Sequence, residues 1–117
     1  SNAIFIGLSL VSASNSSNSI SNLLYTSEYA SYGYGSPNSY LFRDSSLTGT
    51  INKWYHFKWQ LIDGTLHYYI YDENNTELAH KTINLPSVYS NVNVYPCIER
   101  YENTQTGRFR NVVIKPL

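Results

Sequence analysis

The sequence has no methionine and a single cysteine, Cys97, and each shortage excludes something. Without methionine the chain has no natural translation start, and Ser1-Asn2-Ala3 resembles the remnant of a cleaved expression tag. We therefore expect residues 1–3 to be a tag scar and residues 4–117 to form one domain, a fragment of a larger protein. One cysteine excludes an internal disulfide and a metal site built from paired cysteines.

Charge is also scarce, because charged residues make up 14% of the chain against roughly 25% in average soluble domains. Eight basic and eight acidic residues balance to zero, so no basic surface predicts a nucleic-acid partner. No run of about 18 apolar residues is present, and we expect no membrane insertion by this segment. Tyrosine, in contrast, is abundant, with twelve residues.

The first 42 residues carry one formal charge, Glu28, and consist mainly of Ser, Asn, Tyr and small apolar side chains. Apolar runs between polar turns predict strands in this part of the chain. Gly, Pro, Ser and Asn clusters predict the loops that separate them. The expected strands are residues 4–11, 22–28 and 39–43, and the expected loops are residues 12–21 and 31–38.

The most legible feature is a hairpin formed by residues 54–62 and 65–71, in which polar and apolar side chains alternate. Asp63-Gly64 is the dipeptide favoured in a two-residue type I′ turn, and such a turn fixes which residues of the two strands face each other. One face of the predicted hairpin carries Phe57, Trp59, Leu61, Leu66, Tyr68 and Ile70, and we expect it to be the core face. The opposite face carries His56, Lys58, Gln60, His67, Tyr69 and Tyr71.

Three further strands are expected after the hairpin, with a turn at residues 72–75. They are residues 76–83, with Lys81 on an exposed face, residues 92–99, and residues 107–115. Pro96 lacks an N–H group, so the strand that contains it must lie at a sheet edge or carry a bulge. No helical periodicity of useful length appears, and strands at about ten-residue spacing predict an all-β antiparallel β-sandwich.

The hairpin and the last nine residues, Phe109-Arg110-Asn111-Val112-Val113-Ile114-Lys115-Pro116-Leu117, resemble those of concanavalin A-like jelly rolls. In this lectin/glucanase superfamily, which includes laminin-G-like domains, a Trp opens one strand, Asp-Gly turns into the next, and a closing strand points a Phe and two aliphatics inward. The resemblance implies a jelly-roll sandwich. Because such domains usually exceed 117 residues, we expect a first strand or two to be missing, truncated or supplied by the rest of the parent.

No catalytic residues are expected. The Glu-x-Asp-x-x-Glu strand of the glucanase branch is absent, and the segment considered for it, residues 97–102, carries only Glu99 and Glu102. Glycoside hydrolysis needs two carboxylates about 5 to 10 Å apart with one pKa raised, whereas residues three apart on a strand face opposite sides. A glycan-active enzyme domain is an alternative only if carboxylates that are distant in the sequence lie close together in the fold.

No metal site or cofactor is expected either. The candidate ligands are His56, His67 and His80. His56 and His67 share the predicted polar face but lie four residues apart along it, roughly 13 Å, which is too far for one ion. The oxygen-rich residues 72–77 lack the Gly and the acid spacing of an EF-hand loop, so a turn is the better interpretation.

Two surfaces are candidates for ligand binding. On the polar hairpin face, aromatic planes could stack on sugars while amide, ammonium and imidazole groups bond hydroxyls; the alternative is an ordinary solvent-facing sheet surface. The second candidate is a Tyr-rich loop region, because Tyr with Ser, Gly and Asn makes adaptable contacts; the alternative there is packing against the sandwich edge. Its tyrosines are Tyr25, Tyr29, Tyr32 and Tyr34.

These features predict a non-catalytic binding module of an extracellular or cell-surface, adhesin-like protein that recognises carbohydrate or a protein partner. The alternative from another class is a structural β-sandwich of a phage or virion fibre.

Overall fold

A computed structural model describes residues 6–12, 19–33, 39–89, 94–100 and 108–115. Within these ranges a short 3-10 turn, Ser87–Tyr89, interrupts a chain otherwise built from strands and turns, and no helix has the length and apolarity to cross a bilayer. The strands are β1 Ile6–Ser12, β2 Ser19–Leu24, β3 Tyr29–Gly33, β4 Ser39–Asp44, β5 His56–Ile62, β6 Thr65–Tyr71, β7 Glu77–Asn84 and β8 Val94–Arg100.

The strands form two antiparallel sheets, which confirms the predicted all-β antiparallel sandwich. The five-stranded sheet has the order β4-β3-β2-β1-β8, and the three-stranded sheet has the order β5-β6-β7. β8 lies at an edge of its sheet, as predicted from Pro96. Proline is tolerated there because an edge strand pairs on one side only, so one missing N–H group need not break a sheet hydrogen bond. Residues 4 and 5 of the expected first strand lie outside the described residues.

The hairpin forms in the predicted register. Seven residue pairs join β5 to β6, from His56 opposite Tyr71 at the open end to Ile62 opposite Thr65 at the turn. Asp63 and Gly64 both have positive φ, 50° and 75°, as a type I′ turn requires. The local sequence therefore decides which side chains of β5 and β6 share a face.

The core lies between the two sheets. Tyr68 and its β6 neighbours on the same face are fully buried, and they meet buried side chains of β2 and β3. Phe57 and Trp59 of β5 pack against these clusters while staying partly exposed. The prediction that Leu61 is a core residue is wrong, because Leu61 lies beside the turn on an edge strand and is 41% exposed. The core side chains are Ile20, Leu24, Tyr29, Leu66, Tyr68, Ile70 and Tyr89.

Buried polar contacts link the two sheets across this core. The Asn22 side-chain oxygen on β2 accepts hydrogen bonds from the Tyr29 hydroxyl and the Trp59 indole N–H, each at 3.2 Å. The Ser31 hydroxyl donates to the backbone carbonyl of Ser21 at 2.8 Å and lies 3.2 Å from the Tyr68 phenol oxygen. Because these bonds join β2 and β3 to β5 and β6, they fix how the sheets are stacked.

The first half of the chain departs from the predicted boundaries. β2 starts at Ser19, inside the expected loop of residues 12–21, and ends at Leu24, after which a turn replaces the expected continuation to residue 28. β3 likewise occupies residues 31–33 of the expected loop of residues 31–38. Ser and Asn suggested loops there, but Ser21 and Ser31 are buried in regular strands. Residues 13–18 and 34–38 lie outside the described residues.

Two expectations for the second half are also wrong. Lys81 is opposite Tyr68 in register and therefore belongs to the inward side of β7, from which its ammonium reaches Asp44 at 3.3 Å. The expected last strand is absent from residues 108–115, which are exposed and unpaired with either sheet. Asn111 has a φ of 55°, which breaks an extended run, and the Arg110 guanidinium stacks 3.9 Å from the Trp54 ring.

The buried phenols of Tyr29 and Tyr68 predict alkaline unfolding. Burial raises the pKa of both hydroxyls well above their ordinary value. Both phenols stay protonated in the folded chain, whereas in the unfolded chain they ionise above about pH 10. Below that pH their contribution to the free energy of unfolding is therefore fully present. Above it we expect the free energy of unfolding to fall by about 1.4 kcal/mol per pH unit for each phenol. Parallel titrations by tyrosinate absorbance and circular dichroism check this, and ionisation of every tyrosine with the dichroism unchanged would contradict it.

Candidate functional site

The three-stranded sheet turns one face away from the core, and this outer face carries the side chains predicted for ligand binding. The residue pairs His56 with Tyr71, Lys58 with Tyr69, and Gln60 with His67 place all six on the same face of β5 and β6. Each is exposed or half-buried. The structure therefore brings the whole predicted polar face together on one open surface.

Aromatic rings on the outer face stack against one another in a continuous row. Tyr69 is central to it, with its ring centroid 4.2 Å from that of His80, 6.2 Å from that of Tyr71 and 6.4 Å from that of His67. These three pairs are within 15° of parallel. His56 extends the row, with its ring 5.6 Å from Tyr71. We call these five residues the aromatic row.

The stacking determines which atoms the row offers to a ligand. The His80 ring is nearly parallel to the Tyr69 ring at 4.2 Å and therefore covers part of one Tyr69 face. The Lys58 ammonium lies 5.1 Å from the centre of the same ring. Neighbouring side chains therefore occupy part of the Tyr69 ring plane, whereas its hydroxyl is a hydrogen-bonding group. This favours hydrogen bonding over the sugar stacking that the sequence suggested.

β7 adds residues to the outer face that sequence reasoning did not place there. His80 is opposite Tyr69, and Thr82 is opposite His67, so both share the face with the aromatic row. His67 Nδ1 lies 3.1 Å from His80 Nε2. The sequence did not predict this pair, because the pair depends on how β6 aligns with β7. That register includes an irregularity at residues 70 and 71, and no local turn in the sequence indicates it.

Two of the four tyrosines of the second predicted surface, the Tyr-rich loops, lie in a strand and not in a loop. Tyr29 and Tyr32 belong to β3, and Tyr29 is fully buried. Tyr32 packs edge-on against Tyr40 of the neighbouring strand, with ring centroids 5.9 Å apart. Tyr25 lies in the turn after β2, half-buried, and Tyr34 lies outside the described residues. Packing in the core between the two sheets is therefore the better account of the buried Tyr29.

A shallow cleft of about 310 Å³ lies at the rim of the sandwich, beside the start of β5. Lys53, Trp54, Asp72 and Glu73 contribute to its lining. One Asp72 carboxylate oxygen already accepts two backbone N–H groups of its own turn, at 2.8 and 2.9 Å. Arg110 stacks on the Trp54 ring. Because backbone N–H groups occupy one Asp72 oxygen and Arg110 covers the Trp54 ring, these two side chains are less available to a ligand than their place in the lining suggests.

Of the two carboxylates considered for catalysis, only Glu99 belongs to the described residues. Glu99 is on β8, opposite Gly7 of β1, and Glu102 lies outside the described residues. Elsewhere, Glu28 pairs with Arg43 at 2.8 Å. Hydrogen bonds from Ser46, followed by Lys81, lower the pKa of Asp44. Both of these carboxylates are held in ion pairs.

Comparison of the chain with protein-family profiles, with curated proteins and with solved structures finds no match. The fold and the outer face together define an antiparallel β-sandwich with an exposed, ordered aromatic row on its smaller sheet.

Proposed function

We propose that this chain is a non-catalytic binding module of an extracellular or cell-surface, adhesin-like protein, and that its outer face binds carbohydrate. The observation that carries the proposal is the aromatic row, in which polar aromatic side chains stack against one another on an open sheet. Exposed tyrosines and histidines are common on sheets, but mutual stacking across two strands orders these side chains before a ligand arrives. Less side-chain entropy is then lost on binding.

The chemistry of the outer face suits a ligand rich in hydroxyl groups. Tyr69 and Tyr71 provide hydroxyls that donate and accept, Gln60 provides an amide, and Lys58 provides an ammonium. A sugar chain lying across the sheet could bond several of these groups at once. Each bond is worth only about 0.5 to 1.5 kcal/mol, so we expect weak binding that improves when several modules act together.

The finer fold assignment is also a proposal. A concanavalin A-like jelly roll is supported by the Trp59-containing hairpin, the Asp63-Gly64 turn and the two stacked antiparallel sheets. That superfamily includes lectins, which agrees with a sugar-binding role. Residues 108–115 give it no support, because they do not form the closing strand that the resemblance implied.

A glycan array followed by titration calorimetry tests the sugar-binding proposal. Tyr69→Phe and Tyr71→Phe keep the stacked rings and remove one hydroxyl each, and we expect each to weaken binding about two- to tenfold. Tyr69→Ala and Tyr71→Ala should weaken it further, with nearly unchanged thermal midpoints because the face is open to solvent.

The matched control is Tyr95→Phe, since Tyr95 is 58% exposed but belongs to β8 of the other sheet. Its affinity should equal that of the parent chain. If all five variants bind like the parent chain, the site does not lie on the outer face. If the parent chain binds no glycan, the carbohydrate proposal is wrong.

One observation favours the second candidate, a structural β-sandwich of a phage or virion fibre. Near the carboxyl end of the described residues, Val112, Val113 and Ile114 are 56, 74 and 70% exposed. Consecutive aliphatics at such exposure are suited to burial against another chain. Sedimentation of the purified chain tests this, because a fibre subunit should self-associate and Val113→Lys should abolish the association. A monomer at all concentrations would exclude it.

A further inference from the structure

We propose that His67 and His80 form a two-imidazole chelate for a divalent transition-metal ion on the outer face; both residues belong to the aromatic row, but the metal proposal does not rest on sugar binding. The carrying observation is the 3.1 Å separation of His67 Nδ1 and His80 Nε2 across β6 and β7. Metal–imidazole bonds of about 2.0 to 2.1 Å with bond angles between 90° and 110° place two nitrogens about 2.9 to 3.4 Å apart. The observed separation lies in that range.

The surroundings hold the pair in place while leaving it open. Tyr69 stacks on the His80 ring, with centroids 4.2 Å apart, and nearly parallel to the His67 ring at 6.4 Å. His80 is exposed and His67 half-buried, so an ion can reach both nitrogens from solvent. Chelation requires the lone pairs of both nitrogens to point toward one ion. Lys58 is separated from His80 in register by Tyr69.

The composition of the site indicates which ions it takes. No cluster of three or more His, Cys, Asp or Glu side chains with metal-site geometry occurs in the part of the chain that the structure describes. The remaining coordination positions therefore belong to water or to a donor from a bound partner. Imidazole suits Zn²⁺, Ni²⁺ and Cu²⁺, whereas Ca²⁺ and Mg²⁺ prefer oxygen, so we expect selectivity for the first group.

Titration with Ni²⁺ and Zn²⁺ tests the chelate, with calorimetry and the thermal midpoint as readouts. We expect both ions to bind and to raise the midpoint, because they bind the folded chain and not the separated strands. Mg²⁺ should do neither. His67→Gln and His80→Gln should each weaken binding at least about tenfold. The double variant should bind the ions no more weakly than either single variant, because losing one nitrogen already destroys a two-imidazole chelate.

His56→Gln is the matched control, since His56 lies on the same face at the other end of the aromatic row. It should bind Ni²⁺ like the parent chain. Equal binding by the His67 and His80 variants, or an equal loss in His56→Gln, would overturn the proposal. So would the absence of any binding, which would leave only a hydrogen bond between the two imidazoles.

Measuring glycan binding separately in EDTA keeps the two proposals apart. If the titrations show no metal binding but glycan affinity is retained, the chelate proposal is wrong and the sugar-binding proposal is unaffected. The metal-free midpoints of all variants show whether each one folds.

Discussion

Replacing Asn22 with alanine should lower the free energy of unfolding by about 2 to 4 kcal/mol. Asn22 is completely buried, and its side-chain oxygen is the acceptor for both the Tyr29 hydroxyl and the Trp59 indole N–H. Alanine removes that acceptor and leaves two donors in the core, each costing about 1 to 3 kcal/mol. The Asn22 amide nitrogen has no acceptor among the described residues, so its removal offsets part of the loss. Chemical denaturation measures the difference.

A double-mutant cycle separates the lost bond from the lost volume. In a chain that already carries Tyr29→Phe, Asn22→Ala should cost less, because one of the two stranded donors is gone. Asn74→Ala, an exposed turn residue, serves as the control and should stay within about 0.5 kcal/mol of the parent. An Asn22→Ala loss as small as that of the control would mean that the buried hydrogen bonds do not hold the sheets together.

Replacing Gly33 with alanine should cost at least about 2 kcal/mol, the second large effect. Gly33 ends β3 with a φ of 128°, which side-chain-bearing residues rarely adopt. A Cβ there would also overlap the backbone carbonyl of Ser19 on the paired strand β2. Because that obstacle is backbone in a sheet, it cannot move without breaking the β2–β3 pairing.

Gly64→Ala is the matched control for Gly33→Ala. Gly64 also has a positive φ, 75°, but a Cβ there meets no atom within 4 Å. We expect a cost of about 1 kcal/mol from backbone conformation alone. Thermal and denaturant unfolding of both variants give the comparison. Equal costs at the two positions would show that the close approach of β3 to β2 is not what selects glycine at position 33.

The sequence predicts the second half of the fold better than the first, and the reason is physical. The β5–β6 register depends on a two-residue Asp63-Gly64 turn and on strict alternation, both of which are local. β2 and β3 contain Ser and Asn residues whose composition suggests loops. Those residues are buried because partners far along the chain, such as Tyr68 and Trp59, satisfy their hydrogen bonds. No local pattern contains that information.

The candidate site shows the same division. Membership of the outer face follows from the hairpin register, so the sequence places Tyr69 and Tyr71 on it correctly. Ring orientation does not follow, because it depends on packing between neighbours, and the rings stack on each other instead of opening their planes. The part played by His80 depends on how β7 pairs with β6 around an irregularity, which the sequence does not signal.

The central claim is that the outer face of the three-stranded sheet is the binding surface. NMR titration of the labelled chain with the strongest glycan from the array tests it most directly. We predict that signals of the aromatic row and its β5 neighbours, Lys58 and Gln60, shift together and saturate, while those of the core residues Tyr68 and Ile70 stay in place. Saturating shifts confined to the rim cleft around Trp54 and Asp72, or the absence of any shift, would contradict the account.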